Sequence, residues 1–240
     1  MVQKRPIRKT NSTARRAKHA IALADAHSIW RRGVAALVDS QNDLEICGES
    51  GDLEGAAEII RRRKPDLIVV DIGSEPANGI ESVKRLCLEF PQLAVLVVSL
   101  YDEYLYAERA IRAGAKGYLI KQESTEVLLT AIRQVLRGGV YLSARMRELL
   151  LNKTLAHEPK GHDPSLGSLT DRELEVFMLL GSGKLNREIA KQMKVSVKTV
   201  DAYRAHIKQK LRLKNGMQLI RLAVLHAQPY SSAIRASTAT

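Results

Sequence analysis

The sequence predicts two folded parts: an α/β domain on a doubly wound parallel sheet of five strands, then a small all-α domain of four helices. Three observations carry this prediction. Between residues 19 and 140, five short apolar runs alternate with five amphipathic stretches. A segment with two prolines, two glycines and little apolar content follows. Residues 169–226 then read as helical throughout. Strands apolar on both faces and alternating with helices call for a parallel sheet covered on each side. A chain of 240 residues has room for two domains of that size.

In chain order, residues 1–18 (MVQKRPIRKTNSTARRAK) lack apolar periodicity and are expected to form a disordered basic arm. The strand candidates are AIALAD (20–25), LEICGE (44–49), DLIVVD (66–71), LAVLVVS (93–99) and GYLIK (117–121). Between and after them lie helical candidates at 28–40, 53–63, 79–89, 103–113 and 124–137. Pro65 and Pro91 stop helices shortly before a strand, Gly114 and Gly138 suit helix C-termini, and Ser124 is a simple N-cap. The α/β domain therefore spans 19–140, the size of a flavodoxin-like domain with strand order 2-1-3-4-5. Residues 141–165 read as a linker that opens with a short helix, RMRELLLNK. The helical domain spans 166–228, with breaks at Gly181–Gly183, Val195–Ser196 and Asn215–Gly216, and 229–240 reads as a flexible tail.

Composition narrows the function. No apolar run approaches the ~20 residues that span a bilayer, so no membrane partner is expected. The N-terminus lacks the apolar stretch of a signal peptide. Two cysteines, Cys47 and Cys87, are too few for a disulfide framework and have no metal spacing, which makes a reduced cytoplasm the expected compartment. The net charge of +12 is unevenly spread. Residues 1–20 hold seven Lys/Arg and no acid, residues 21–145 hold fifteen bases and eighteen acids, and residues 166–240 hold thirteen bases and five acids. A slightly acidic body thus carries basic modules at both ends, a footprint that suits either nucleic acid or a solvated surface.

In an open parallel sheet, function collects at the carboxyl ends of the strands. Those ends carry Asp25, Asp71, Ser99 and Lys121. Phosphoryl transfer to a carboxylate needs a nucleophilic Asp, a divalent cation and donors that hold the product. Asp71 is placed to be the nucleophile, Ser99 and Lys121 to meet phosphoryl oxygens, and Asp25 to help hold Mg²⁺.

Residues 20–145 resemble the receiver domain of two-component response regulators. The resemblance lies in LADAH (23–27), IVVDIGSEPANG (68–79), VVSLYDE (97–103) and AGAKGYLIK (113–121). It implies Asp71 as phospho-acceptor, Ser99, Tyr118 and Lys121 as the switch, and Asp25, Asp71 and Gly73 as the metal ligands. Two departures matter. The second of the family's paired acids is Ala26, and the family's Met-Pro after the acceptor is Ser74-Glu75 with Pro76 one position late. Losing an anionic ligand should leave Mg²⁺ weakly held and phosphorylation impaired, unless Glu75 supplies a substitute carboxylate.

The helical segment has its own signature. Thr170 and Glu173 have capping-box spacing, and Leu174, Phe177, Met178 and Leu180 form an apolar face. Asn186 begins a short helix, and Ser196 or Val197 opens the next, where Val200, Tyr203, Ile207 and Leu211 recur at helical spacing. The other faces of that helix carry Lys198, Thr199, Asp201, Ala202, Arg204, Ala205 and Lys208. Such a helix can enter the major groove of duplex DNA. Lys198, Arg204 and Lys208 suit phosphates, while Asp201, Ala202 and Ala205 suit base edges: Ala meets a thymine methyl and Asp accepts from cytosine N4. Over its whole length the segment resembles a LuxR/NarL-type DNA-binding domain, with Arg212 where that family commonly has Gly.

Together the resemblances imply a NarL/FixJ-type transcription factor. The implied partners are double-stranded promoter DNA, a sensor histidine kinase, and a second copy of the chain paired through Met217–Leu225. Two readings stay open beside it: a phosphorylation-independent regulator whose receiver is a dimerisation or ligand-binding module, and an adaptor that never engages DNA. The arm either adds non-specific DNA affinity or is merely solvated. GSGK (181–184) lacks the upstream glycine and the Ser/Thr of a phosphate loop, and the six histidines show no metal spacing. No catalytic triad stands out, so no enzyme is expected beyond self-phosphorylation of the receiver.

Overall fold

The computed structural model describes residues 18–73, 76–155 and 166–227. The arm up to residue 17, Ser74 and Glu75, residues 156–165 and the tail from 228 lie outside the described residues. In the first part the strands are β1 (His19–Ala24), β2 (Leu44–Ser50), β3 (Leu67–Val70), β4 (Ala94–Ser99) and β5 (Gly117–Ile120). They form one parallel sheet in the order β2-β1-β3-β4-β5, the expected doubly wound topology.

The pattern of the apolar runs explains the two layers. The helices are α1 (Ser28–Asp39), α2 (Leu53–Arg63), α3 (Pro76–Glu89), α4 (Glu103–Arg112) and α5 (Thr125–Leu136). One sheet face carries Ile21, Leu23, Leu67, Val69, Leu96 and Val98, packed with Val34 and Val38 of α1 and Ile132 and Val135 of α5. Alternate residues on the same strands, including Ala22, Ile68, Val70 and Val97, join Ile60, Val83, Leu86 and Tyr106 from α2, α3 and α4. Each fully buried Val or Leu contributes about 1.5–3 kcal/mol relative to exposure, so a run such as LIVV, buried at every position, has no solvent-facing register to slip into.

Helix ends follow local chemistry. Asp52 accepts from Gly55 N at 2.7 Å, Asp102 from Tyr104 N at 3.0 Å and Ser124 from Val127 N at 3.4 Å. Lys64 closes α2 in the left-handed region (φ 49°) directly before Pro65. Helix α3 starts earlier than the predicted residue 79, at Pro76, because proline has no N–H to leave unpaired in a first turn and its fixed φ is already helical. Gly79 lets that helix press against the loop after β3: a Cβ there would stand 2.2 Å from the Ile72 carbonyl oxygen.

After the sheet, Tyr141 bridges to Gly117, and helix α6 (Ala144–Leu155) begins with Met146 fully buried. The segment read as linker therefore opens with packed structure. The second part contains a short 3₁₀ turn (Leu166–Ser168) and helices α7 (Asp171–Gly181), α8 (Asn186–Met193), α9 (Val197–Lys210) and α10 (Gly216–Ala227). Thr170 and Glu173 form the predicted capping box on α7. Helix α7 packs on α3 as well as on α8, α9 and α10, and the 3₁₀ turn packs on α4, so the core runs on from sheet layer to helical domain.

Candidate functional site

Parallel pairing builds the first site. Ala24 and Val70 are register partners, so Asp25 and Asp71 leave the sheet side by side, and Asp71 N donates to Ala24 O at 2.8 Å. Lys121 follows β5, its N–H bonded to Ser99 O at 2.8 Å, and its side chain reaches back across the strand ends. Its Nζ lies 2.6 Å from Asp25 Oδ2 and 2.9 Å from Asp71 Oδ2. The three side chains are only 1–5% exposed. Such a buried cluster holds because charge answers charge; taking out one partner typically costs about 3–5 kcal/mol. Trp30, on α1, lays its ring 4.8 Å from the same ammonium.

Sequence reasoning set the histidines aside, yet His27 belongs to this cluster. Its Nδ1 is 3.1 Å from Asp25 Oδ1, 3.6 Å from Asp71 Oδ2 and 3.3 Å from Lys121 Nζ. The sequence signal is its place two residues after a strand-end acid; the approach to Asp71 exists only through the β1–β3 pairing. Arg31 is a second residue the sequence did not single out: its guanidinium donates to the Asp25 carbonyl and pairs with Glu49 at 3.2 Å.

An open cleft of about 680 Å³ starts at Asp25, Asp71 and Gly73 and runs between α2 and α3 past Asp52, Glu54 and Arg85. Gly73 takes φ 70°, a left-handed turn that suits glycine. Ala26 lines the cleft and brings a methyl group, not a carboxylate, to it. Glu75, the candidate substitute, lies outside the described residues.

The remaining sheet-end residues lie one strand further along. Ser99 is fully buried at the end of β4, its hydroxyl accepting from Tyr101 N at 3.3 Å. Tyr118 is 1% exposed, and its hydroxyl donates to Tyr101 O at 2.9 Å. The ring thus holds the inward position, and burial pushes its phenol well above the ordinary range. Tyr101 in turn meets Tyr106 of α4, ring centroids 5.5 Å apart.

The second site is the α8–turn–α9 unit. Lys194 ends α8 in the left-handed region (φ 54°), and Ser196 caps α9 by accepting from Thr199 N at 3.0 Å. Val200 and Ile207 are fully buried against α7 and α8, which turns the opposite flank outward. Lys198, Asp201, Ala202 and Ala205 are exposed; Thr199, Arg204 and Lys208 are half-buried. Asn186, at the start of α8, links two of the predicted residues: Arg204 donates to Asn186 Oδ1 at 2.6 Å, and Asn186 Nδ2 donates to Asp201 Oδ1 at 2.6 Å. Lys210 holds the capping-box carboxylate of Glu173 at 2.6 Å; burial works against the ionised form, but this ammonium and the Thr170 donors keep the pKa low on balance. On α10, Met217, Ile220, Val224 and Leu225 are exposed, Met217 by 73%.

Comparison with known proteins agrees with both halves. Residues 21–133 match the family described as response regulator receiver domain, and residues 167–223 match the bacterial regulatory proteins of the luxR family. The oxygen regulatory protein NreC of Staphylococcus carnosus is 32% identical over 208 residues, covering 85% of this chain and 96% of that protein. NreC of Staphylococcus haemolyticus is 32% identical over 209 residues with the same coverage. Among solved structures, RcsB from Salmonella enterica serovar Typhimurium, bound to promoter rprA in the presence of phosphomimetic BeF₃⁻, superposes with a TM-score of 0.65. It is 20% identical and covers 86% of this chain and 99% of that one, a likeness of fold. Among the described residues, no helix is long and apolar enough to cross a membrane.

Proposed function

This chain belongs to the two-component response regulators that join a receiver domain to a LuxR-family DNA-binding domain, and from that premise we propose that it is a sequence-specific transcriptional regulator whose receiver is phosphorylated on Asp71. The observation that carries the reading is the outward flank of α9. Lys198, Asp201, Ala202 and Ala205 are exposed together along a helix whose inner side buries Val200 and Ile207 completely. Asp201, Ala202 and Ala205 read base edges, while Lys198, Arg204 and Lys208 bind phosphates, with Thr199 in the first turn beside them. The receptor on the DNA is the major groove of a two-fold operator. The apolar residues left exposed on α10 support pairing of two chains through that helix. The RcsB structure bound to promoter DNA supports a promoter partner, and membership of the response regulator receiver family supports a signal carried by a sensor histidine kinase.

At the receiver, an Asp71 carboxylate oxygen attacks the phosphorus of a phosphohistidine or small phosphodonor, and the bond to the donor breaks. Ser99 and Lys121 then hold phosphoryl oxygens, and Tyr118 follows Ser99. Mg²⁺ neutralises phosphoryl charge when bound. Asp25, Asp71 and the Gly73 carbonyl would hold it only weakly, since Ala26 supplies no oxygen.

A second reading is favoured by that same Ala26 and by Lys121, whose ammonium already stands against both carboxylates. In it the receiver works without phosphate, as a dimerisation or ligand-binding module. DNA affinity of the parent, Asp71→Asn and Asp71→Glu proteins, each with and without a small phosphodonor and Mg²⁺, separates the two. A phosphodonor-dependent gain in the parent that Asp71→Asn lacks supports the first reading; identical titrations in all arms support the second. Failure to bind any promoter fragment in every arm would point to the adaptor.

A further inference from the structure

Helices α3 and α4 of the receiver and α7 of the DNA-binding domain meet around a cavity of about 470 Å³. That volume lies within the range of small-molecule sites, which favour the boundary between domains. Ile80 and Leu174 give it apolar walls, and three carboxylates and two guanidiniums line the rest. Four of those charges answer one another: Arg109 pairs with Asp171, and Arg172 with Glu175 at 2.8 Å. Glu81 forms no ion pair or hydrogen bond among the described residues, so the cavity keeps one uncompensated negative charge.

Tyr106 is a second and independent sign of a ligand. It lines the same cavity and is 2% exposed, yet among the described residues its hydroxyl makes no hydrogen bond. Buried hydroxyls are nearly always bonded, because one without a partner forfeits its hydration. Tyr118, buried as deeply, donates its own to the Tyr101 carbonyl at 2.9 Å. Burial raises the Tyr106 phenol above the ordinary range, and the charged side chains that act on it are Arg109, Glu175 and Asp171, all three in the cavity wall. The hydroxyl therefore stands at that wall.

An unanswered carboxylate, a bare phenol oxygen and apolar walls suit one chemistry. An ammonium carries positive charge and three N–H donors, and it needs no donor in return. We propose that this cavity binds a small organic ammonium ion, an alkylamine or arylalkylamine, whose charge Glu81 answers and whose N–H Tyr106 accepts. Ile80 and Leu174 cover its carbon body. A phosphate or carboxylate would instead add to the negative charge. Because the walls belong to both halves of the chain, a bound amine favours the arrangement in which α7 lies against α3 and α4. The proposal goes beyond the regulator reading and needs neither phosphate at Asp71 nor DNA at α9.

The probe is phenethylammonium, titrated into the full-length protein by calorimetry at constant ionic strength. Phenethyl alcohol and hydrocinnamate serve as neutral and anionic analogues of similar size. The expected result is one amine per chain, bound about tenfold or more tightly than either analogue, as a charge-assisted hydrogen bond requires. Glu81→Gln should bring amine and alcohol to within about twofold of each other. Tyr106→Phe keeps the ring and should lower amine affinity about fivefold. Since the deleted hydroxyl has no partner in the fold, the melting midpoint of Tyr106→Phe without ligand should be no lower than the parent's. A lower midpoint would mean that the hydroxyl is already bonded, and would overturn the proposal. So would an absence of saturable amine binding in the millimolar range, equal affinity for the three probes, or a preference for amine undiminished in Glu81→Gln.

Discussion

Lys121 is the residue on which the acidic pocket's charge balance turns. Its ammonium faces two carboxylates that solvent hardly reaches, so Lys121→Met, similar in length but neutral, should destabilise the chain by about 3–5 kcal/mol in urea unfolding at neutral pH. Asp25, Asp71 and Lys121 could be singled out from sequence because strand ends are where an open parallel sheet places its chemistry. Glu103 could not. It opens α4 and reads as an ordinary first-turn acid, yet it is 9% exposed and accepts from the Ser143 hydroxyl at 2.8 Å. That burial comes from a segment beyond the sheet, which no local pattern announces. Burial holds the Glu103 carboxyl above its usual range, with Ser143 partly offsetting it. A raised pKa in the fold means that stability is fully present below the unfolded value near 4.5 and is lost as pH rises through the folded value. Glu103→Gln removes that loss while keeping a partner for Ser143. Its melting midpoint should therefore exceed the parent's at pH 8 and converge with it by pH 4; a gap of the same size at both pH values would refute the assignment.

Among the elements, those with strong periodicity were legible from sequence and those defined by contacts were not. The five strands and the helices between them follow from apolar runs and proline stops, and α7 from its capping box. The close approach of α3 to the loop after β3, with Gly79 against the Ile72 carbonyl, is a contact between a helix and a loop that spacing does not reveal. Helix α9 shows both sides of the matter. Its buried stripe was readable, whereas the bridge from Arg204 through Asn186 to Asp201 joins two helices across a turn. Arg204→Ala should lower affinity for specific and random DNA alike and flatten the salt slope by about one unit, as loss of one phosphate contact requires. Asn186→Ala should instead weaken discrimination between sequences, because it frees Asp201. Gel-shift titrations across a salt series distinguish the two. For α10, Met217→Glu places a charge in the exposed apolar stripe; sedimentation with a two-half-site operator should then show one chain per duplex where the parent shows two.

At the scale of the whole molecule, one arginine links the halves. Arg109 of α4 donates to the Leu169 carbonyl at 2.7 Å and to the Asp171 carboxylate at the start of α7, while its Nε bonds Leu105 O at 2.9 Å. On the receiver side, a chain of aromatic contacts leads to it: Tyr118 bonds Tyr101 O, and Tyr101 packs on Tyr106, one turn before Arg109. The route is continuous from the sheet ends to the first helix of the DNA-binding domain, and coupling along it is an energy to be measured. The energetic test is whether phosphate at Asp71 and DNA at α9 alter each other's binding. A coupling of 1–3 kcal/mol would make phosphodonor-treated parent bind DNA about 5–150-fold more tightly or more weakly than untreated protein. Arg109→Ala breaks the contact without touching either site. If the interface carries the coupling, the ratio of treated to untreated affinity should fall toward one in this variant, while the extent of Asp71 labelling by intact mass stays at the parent level. If the ratio is unchanged with labelling intact, the two halves communicate by a route that bypasses α4 and α7.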